Sequence, residues 1–455
     1  MAGLRATARP SPTAGLRSTA RPSPTAGLRG LTWDHPRGYT VLDSLDGEPR
    51  VHWERQPLEG FESRPLRELA DGFDLLIIDH PGLGEAVRDG ALRPLSDLLP
   101  ETELAACEAV SAGKSYASYQ LGGQQWALPV DAAAQVSVAR ADLLTDRPLS
   151  WEEARQAARR HRTAVCLGGP HALLMFAAIC VSLGAPPAAD PPSTLSPAAG
   201  AGAVRTARAG PAAGPAVFAD RPAGGAALDV MADLLAHADP ALAQRNPIAV
   251  LDAMTAGDGP AYCPLVYGYI SYQRPAAGPG QPPGPGQPPS LGQPRGAGQP
   301  PAPRALAAFD APAGPAGIGS VLGGTGIAVS RSCTQLEAAR TYIRRLLSEK
   351  VQLETYAEAG GQSADRRAWL DPAADARAAG FYSATRRTVE SAWVRPRFAG
   401  YLEFQARASA VLRDGLISGE DHEVLLGQVN DLFTRASTGI TARYGAYKER
   451  REDLP

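Results

Sequence analysis

The sequence predicts an α/β protein built on a parallel sheet, from two observations. Residues 73–78 (Phe-Asp-Leu-Leu-Ile-Ile) form a short apolar run that stops at His-Pro, as expected for a strand covered on both faces. Residues 28–33 and 51–54 are two further strand candidates, and 65–70 is a short helix candidate. We therefore expect the order β-α-β-α-β, which is typical of a parallel sheet with crossover helices.

Helical patterns fill much of the remaining chain. Ser150 followed by Glu153 is the signature of a capping box and predicts a helix that continues through Arg160. The apolar run 172–183 suits a core helix and is too short to cross a bilayer. Apolar residues at helical spacing predict further helices at 228–237, 334–349, 401–416 and 424–433. The last two predict a helical C-terminal region.

Composition limits the classes of function. A chain of 455 residues is long enough for two or three domains, and its net charge of −2 gives no reason to expect nucleic acid as a partner. The five cysteines are scattered and form no C-x-x-C pair, so the sequence indicates neither a zinc site nor a disulfide framework.

Three segments are low in complexity. Residues 1–27 repeat Ala-Gly-Leu-Arg at twelve-residue intervals, which predicts a disordered tail; a mis-assigned start and a targeting tail remain alternatives. Ala-, Pro- and Gly-rich 185–225 and Gly-Gln-Pro-Pro-rich 275–303 are predicted to be solvated inserts within a folded body. The tail has no apolar h-region, so the sequence does not indicate a secretory signal.

Motifs for catalysis and for cofactors are incomplete. Residues 111–115 end like a phosphate-binding loop, but Glu108 replaces the required first glycine and would repel a phosphate. Residues 317–323 miss the dinucleotide-binding glycine spacing by one position and predict a close backbone approach instead. There is neither a G-x-S-x-G nor an H-E-x-x-H motif. We therefore predict no catalytic residue, no metal site and no cofactor.

Two Asp-His-Pro tripeptides, at 34–36 and 79–81, follow two of the predicted strands. Loops after parallel strands gather at one edge of the sheet, where ligands bind, so we expect the two loops to face one ligand. Three interpretations fit the residue types: polar contacts with a ligand, capping of the following helices, and metal binding or acid–base catalysis.

The order of several segments resembles the carbohydrate-type extracellular solute-binding proteins of ABC importers (family 1). The resemblance rests on residues 89–99 (Asp-Gly-Ala-Leu-Arg-Pro-Leu-Ser-Asp-Leu-Leu), 125–136, which contain Trp-Ala-Leu-Pro-Val-Asp, and 323–330. Asn246-Pro247 and Gly360-Gly361-Gln362 fall in the same order as in the family. The resemblance spans about residues 28 to 433.

This resemblance implies a two-lobed, periplasmic-binding-protein-like fold (type II), with an α/β sheet in each lobe and a ligand cleft between them. The chain would cross between the lobes at a hinge near 131–135, 305–312 and 356–362. The first lobe would then comprise 28–134 and 308–355, and the second lobe 135–307 and 356–450. Closure of the lobes over the ligand would be the mechanism.

The resemblance also implies a set of ligand-binding residues. Aromatic rings would stack on apolar sugar faces, while Asp, His and Arg would bind hydroxyl groups. For each aromatic residue, a role in packing is the alternative. The implied residues are Trp33, Asp34, His35, Arg37, Asp79, His80, Asp131, Tyr267, Tyr269, Trp369 and Arg397.

The implied partners are a small polar ligand, either a sugar or a related polyhydroxylated or acidic molecule, and the membrane subunits of an ABC importer. We expect a monomer. The family is extracytoplasmic, but the sequence shows neither a signal peptide nor a lipobox, so a cytoplasmic relative also fits. A hydrolase or metal-dependent lyase that uses an Asp-His pair, and a cytoplasmic small-molecule sensor, are the alternative functions.

Overall fold

The computed structural model describes residues 27–188, 217–273 and 304–452. The repeat tail at 1–26, residues 189–216 and residues 274–303 lie outside the described residues. The predictions of a disordered tail and of the 275–303 insert fall there.

Strands form one large mixed sheet and two small two-stranded sheets. Their bounds are β1 Leu28–Trp33, β2 Val51–Gln56, β3 Leu75–Ile78, β4 Leu92–Arg93, β5 Gln120–Leu121, β6 Gln124–Gln125, β7 Ala127–Ala139, β8 Tyr262–Tyr267, β9 Ala307–Phe309, β10 Ala313–Gly314, β11 Gly317–Ile318 and β12 Leu322–Ser330. In the large sheet the order is β2-β1-β3-β12-β7-β8, with β4 on β12 and β9 on β7. Because β1 pairs in parallel with both β2 and β3, the predicted parallel arrangement is confirmed.

Helices cover the sheet and make up most of the C-terminal third. Their bounds are α1 Pro36–Asp43, α2 Leu58–Ser63, α3 Leu66–Ala70, α4 Leu83–Arg88, α5 Glu101–Ala109, α6 Ser115–Ser118, α7 Trp151–Arg160, α8 His171–Ser182, α9 Arg221–Ala236, α10 Pro247–Thr255, α11 Leu336–Leu346, α12 Tyr356–Glu358, α13 Arg366–Leu370, α14 Pro372–Arg377, α15 Phe381–Ser391, α16 Tyr401–Ser418 and α17 His422–Glu452. The predicted capping box at Ser150 and the predicted helical C-terminal region are confirmed. Among the described residues, no helix has the length and apolar character needed to cross a membrane.

Strand β7 joins the two lobes. All thirteen of its residues are buried. Its first half, through Ala134, pairs with β12, and its second half, from Gln135, pairs with β8 and β9. We call β1–β4, α1–α6 and the sheet around them the first lobe, and β8, β9, α7–α10, α16 and α17 the second lobe. The predicted crossing at 131–135 is where β7 changes its pairing partner.

The residue boundaries of the lobes stay a prediction. Near the second predicted crossing, β9 pairs with residues 137–139 of β7, and β10 and β11 pack on α8. Near the third predicted crossing, Ser363 forms a bridge with Asp131.

One end of the predicted 185–225 insert needs correction, because residues 217–225 belong to the folded body. Phe218 is 1% exposed, and its ring centroid lies 5.0 Å from that of Phe404 and 5.5 Å from that of Phe433. The Asn430 side chain accepts hydrogen bonds from the backbone N–H groups of Phe218 (2.8 Å) and Ala219 (3.1 Å). The low-complexity composition therefore conceals a core aromatic residue and the start of α9.

The close backbone approach predicted for 317–323 is confirmed at Gly319. A Cβ atom there would lie 2.0 Å from the carbonyl oxygen of Ala178 in α8, so a larger residue cannot fit without moving the helix.

We expect Phe218→Ala to lower the free energy of unfolding by about 3 to 5 kcal/mol, because it empties the centre of an aromatic cluster. The neighbouring Val217 is 49% exposed, so Val217→Ala serves as the control and should change stability little. Denaturant unfolding of both variants measures this. Equal effects of the two substitutions would show that Phe218 does not belong to the core.

Candidate functional site

The loops after β1 and β3 lie side by side, because these strands are parallel neighbours and end at the same edge of the sheet. Arg37, in the first turn of α1, and Asp79, directly after β3, line the same cleft between the lobes. The predicted convergence of the two Asp-His-Pro loops is therefore confirmed. The cavity has a volume of about 60 Å³, several times the space that one water molecule needs.

Aromatic side chains from both lobes form the apolar walls of this cleft. From the first lobe, Trp33 stacks on Phe61 with ring centroids 5.8 Å apart and planes inclined by 26°. From the second lobe, Tyr267 and Tyr269 come from the end of β8 and the loop that follows it. The walls thus present flat apolar surfaces to a bound molecule.

Arg37 and Asp131 form a buried ion pair beneath the cleft. Arg37 Nε donates to Asp131 Oδ2 at 2.9 Å, and Arg37 Nη2 donates to Asp131 Oδ1. Their exposed fractions are 8% and 4%. Burial opposes the charge on Arg37, but Asp131 outweighs burial, and the pKa of the guanidinium is raised. Asp131 also accepts from the backbone N–H of Gln362 at 3.1 Å.

Arg37 also reaches the second lobe. Its Nη1 donates to the carbonyl oxygen of Gly268 at 3.4 Å, and its Cζ lies 5.0 Å from the centroid of the Tyr269 ring. Arg37, which belongs to the first lobe, thus contacts both the strand that joins the lobes and the second lobe.

A second ion pair crosses the cleft. Arg395, which follows α15, donates from Nη2 to both carboxylate oxygens of Asp79, at 2.9 and 2.7 Å. His80 Nδ1 lies 3.2 Å from Asp79 Oδ1. Burial alone would raise the pKa of Asp79, but Arg395 and His80 lower it well below its usual range. Asp79 is therefore a carboxylate, and it ties the first lobe to the segment before α16.

The two loop histidines support the site and do not line it. His35 is the N-cap of α1, with Nδ1 accepting from the backbone N–H of Arg37 at 3.1 Å, and its ring stacks on Trp33 at 4.9 Å. His80 is 0% exposed and meets the Tyr119 ring edge-on. Burial and nearby arginines lower the pKa of each histidine to about 4. Among the described residues, no group of three or more His, Cys, Asp or Glu could hold a metal ion.

His171, in the first turn of α8, lines the cleft from the second lobe. It is 2% exposed, and its ring meets that of Tyr267 at a centroid distance of 5.8 Å. Burial, and then the charge of Arg395, lower its pKa to about 3. The imidazole is therefore neutral near pH 7.

Glycines of β12 let the backbone form one wall of the cleft. Gly324 has φ = +103°, and a Cβ atom there would lie 2.3 Å from the carbonyl oxygen of Asp131. At Gly323 a Cβ atom would lie 2.7 Å from the Tyr267 ring. Gly324 requires glycine because β12 and β7 approach so closely there, and Gly323 because the Tyr267 ring packs against it.

The structure brings together most of the residues that the family resemblance implied. Trp33, Arg37, Asp79, Tyr267 and Tyr269 line the cleft. Asp131, His35 and His80 lie behind them, as described above.

The three other implied residues, Asp34, Trp369 and Arg397, do not line the cleft either. Asp34 is exposed, and its backbone N–H donates to Gln56. Trp369 is buried and donates from Nε1 to the carbonyl oxygen of Ser363, with its ring 4.8 Å from that of Tyr382. Arg397 donates to the carbonyl oxygen of Ala117 and so joins the lobes outside the cleft.

Sequence reasoning missed several cleft residues. His171 begins a helix that reads as uniformly apolar, and Gln405 lies among core positions of α16. Phe61 precedes the β3 strand without any motif. The implied residue Arg397 does lie two positions after Arg395, in the segment that follows α15.

We expect Asp131→Ala to lower the free energy of unfolding by about 3 to 5 kcal/mol, because it leaves the Arg37 guanidinium buried without its counter-charge. The control is Glu103→Ala, which removes an exposed partner of Arg344 and should change stability little. Urea unfolding compares the two variants. If Asp131→Ala were as mild as Glu103→Ala, the buried pair would not hold the lobes together.

We expect the free energy of unfolding to fall as the pH is lowered from 6.5 towards about 4. The unfolded chain takes up protons on its histidines in this range, whereas native His35, His80 and His171 do not, so acid favours the unfolded state. Chemical unfolding at several pH values measures the slope. His171→Gln should make the slope shallower; an unchanged slope in this variant would contradict the burial of His171.

Comparison with known proteins agrees with this architecture. The model of the bacterial extracellular solute-binding protein family matches residues 66–364, well over half of the chain. No curated protein sequence matches the chain.

Solved structures of solute-binding proteins share the fold. A maltose-bound MalE3 protein of T. maritima is 17% identical with a TM-score of 0.65, and the match covers 89% of this chain and 98% of that one. An ABC transporter solute-binding protein of Agrobacterium radiobacter K84 in complex with ribitol is 18% identical with a TM-score of 0.67, covering 91% and 98%. One of Thermotoga lettingae, bound with α-D-tagatose, is 15% identical with a TM-score of 0.66, covering 90% and 99%.

These likenesses confirm the predicted two-lobed, periplasmic-binding-protein-like α/β fold. The family is one of binding proteins rather than enzymes. By the match over residues 66–364, this chain belongs to the bacterial extracellular solute-binding protein family.

Proposed function

We propose that this protein binds a small, neutral, polyhydroxylated molecule, a monosaccharide or a polyol, between its lobes and delivers it to the membrane subunits of an ABC importer. The observation that carries this proposal is the charge balance of the cleft. Arg37 is paired with Asp131, and Arg395 with Asp79.

The charge balance argues against an anionic ligand. Each arginine at the cleft already has a carboxylate partner, and the pKa values of His35, His80 and His171, lowered to about 4, 4 and 3, leave these rings neutral near pH 7. A carboxylate ligand would find no unpaired positive charge to offset its desolvation. A neutral alcohol has no such cost.

The walls of the cleft favour a sugar or polyol. Phe61, Tyr267 and Tyr269 offer apolar faces, which suit the C–H faces of such molecules. Ribitol and α-D-tagatose, bound by the two structural relatives described above, are of this class.

Contacts across the cleft suit a hinge mechanism. Besides the Asp79–Arg395 pair, the backbone N–H of Gly400 donates to Glu85 Oε1 at 3.2 Å, and Arg37 donates to the Gly268 carbonyl. We propose that β7 and β12 act as the hinge and that these contacts form when the lobes close. Action as a monomer outside the cytoplasm, as in an importer, is part of the same proposal.

An enzyme built on the Asp79–His80 pair fits the geometry less well. The ring of His80 is 0% exposed and lies behind Asp79, so it cannot reach a substrate in the cleft. We therefore expect binding without turnover.

We test the proposal by isothermal titration calorimetry with ribitol and D-tagatose, and with ribonate as an anionic match for ribitol. The neutral compounds should bind more tightly than ribonate. Tyr267→Ala should weaken binding of the neutral compounds by about 0.5 to 1.5 kcal/mol through lost ring contact. The control Tyr39→Ala, on α1 against Arg55, should not.

Two outcomes would overturn the proposal. One is tighter binding of ribonate than of ribitol. The other is the conversion of either neutral compound into a product, measured by chromatography after incubation with the purified protein.

A further inference from the structure

We propose that His171 hydrogen-bonds a hydroxyl group of the bound molecule and, with the N–H groups of Trp33 and Arg395, makes the cleft selective for alcohols. The inference rests on the proposed function and deepens it, because it names the polar groups that distinguish one ligand from another.

The first line of evidence is a set of buried polar atoms without hydrogen-bond partners. In the described part of the chain, Trp33 Nε1, Arg395 Nε and both ring nitrogens of His171 are buried and have no such partner. All three residues line the same cavity. They approach the cavity from different sides: Trp33 from β1, His171 from α8 in the second lobe and Arg395 from the segment before α16.

The second line of evidence is the cost of leaving such atoms unpaired. A buried polar group without a hydrogen bond destabilises the fold by about 1 to 3 kcal/mol. The carboxylate and the other arginine that line the cleft are paired: Asp79 accepts from Arg395 and from the His80 backbone, and Arg37 donates to Asp131. Behind the cleft, both ring nitrogens of His80 also lack a hydrogen-bond partner. An unpaired atom therefore indicates a partner on a bound molecule only where its residue lines the cavity, as Trp33, Arg395 and His171 do.

The chemistry of these atoms defines the ligand. Trp33 Nε1 and Arg395 Nε can only donate, whereas a neutral imidazole has one donor and one acceptor nitrogen. The acceptor nitrogen of His171 needs an O–H or N–H group on the ligand. A hydroxyl group donates as well as accepts, so a polyol satisfies all four atoms. A carboxylate only accepts, and it would leave the acceptor nitrogen of His171 unpaired.

A purely structural role for His171 predicts a different result. His171 packs against Tyr267 at the start of α8, so a core residue would lose stability when replaced. If the ring nitrogens of His171 instead bind a ligand, they have no hydrogen-bond partner in the free protein, and replacing them should not destabilise it. Replacement by an apolar ring of similar shape removes a buried unsatisfied group, and the free protein keeps or gains stability.

The experiment uses His171→Phe, His171→Asn and His171→Gln in the full chain. The melting temperature of the unliganded protein is measured by calorimetry, and the dissociation constants of ribitol and D-tagatose by titration. His171→Phe should melt at or above the wild-type temperature, yet bind about 10- to 100-fold more weakly. Because asparagine and glutamine keep an acceptor and a donor, at least one of them should bind more tightly than His171→Phe.

His237→Phe is the control, since His237 is exposed on the second lobe, outside the cleft. It should leave both dissociation constants unchanged. The inference alone is overturned if the wild-type protein binds these probes and His171→Phe binds them equally well, or if His171→Phe lowers the melting temperature of the unliganded protein. If the wild-type protein binds neither ribitol nor D-tagatose, the proposed function fails, and the inference with it.

Discussion

The buried ion pair between Arg37 and Asp131 is the interaction on which the architecture of the cleft depends. Asp131 lies in β7 close to where that strand changes partner from the first lobe to the second, so its carboxylate has no access to solvent and requires a counter-charge. Arg37 supplies it from the first turn of α1, and the backbone of Gln362 adds a hydrogen bond. Since Arg37 also donates to the carbonyl of Gly268, directly after β8, one pair connects α1, β7, the end of β8 and Gln362.

This pair also decides what the cleft can recognise. A second buried pair, Asp79 with Arg395, repeats the arrangement on the other side, and the charges around the cavity cancel. Strong electrostatic attraction is then no longer available for ligand binding. Selectivity then depends on the aromatic faces, which favour apolar surfaces, and on the hydrogen-bonding atoms of Trp33, His171 and Arg395 that have no partner. Such a site distinguishes ligands by whether their groups donate or accept hydrogen bonds more than by their charge.

The parts of the fold that the sequence predicts are those set by local patterns. The bounds of β1, the capping box at Ser150 and the loops after β1 and β3 follow from short-range periodicity and turn chemistry. The side of an element that faces the cleft depends on tertiary packing, which periodicity does not encode. Trp369 and His171 illustrate this: both are buried ring residues of helices, but Trp369 donates to a backbone carbonyl and His171 lines the cavity. Phe218 was missed for a related reason, because average composition conceals a single core residue.

Helix capping and ligand contact, which the sequence poses as alternatives for the Asp-His-Pro loops, are combined in the structure. His35 caps α1 through Nδ1 and thereby holds the backbone of Arg37, whose guanidinium lines the cleft. Asp79 caps the turn at His80 and also binds Arg395 across the cleft. Because each capping bond is made within the loop itself, the functional side chains are positioned before any molecule binds, and less ordering entropy is lost on binding. The low exposure of His80 has the same origin: it lies behind Asp79, with Nδ1 3.2 Å from Oδ1, where it positions the carboxylate and does not reach the cleft.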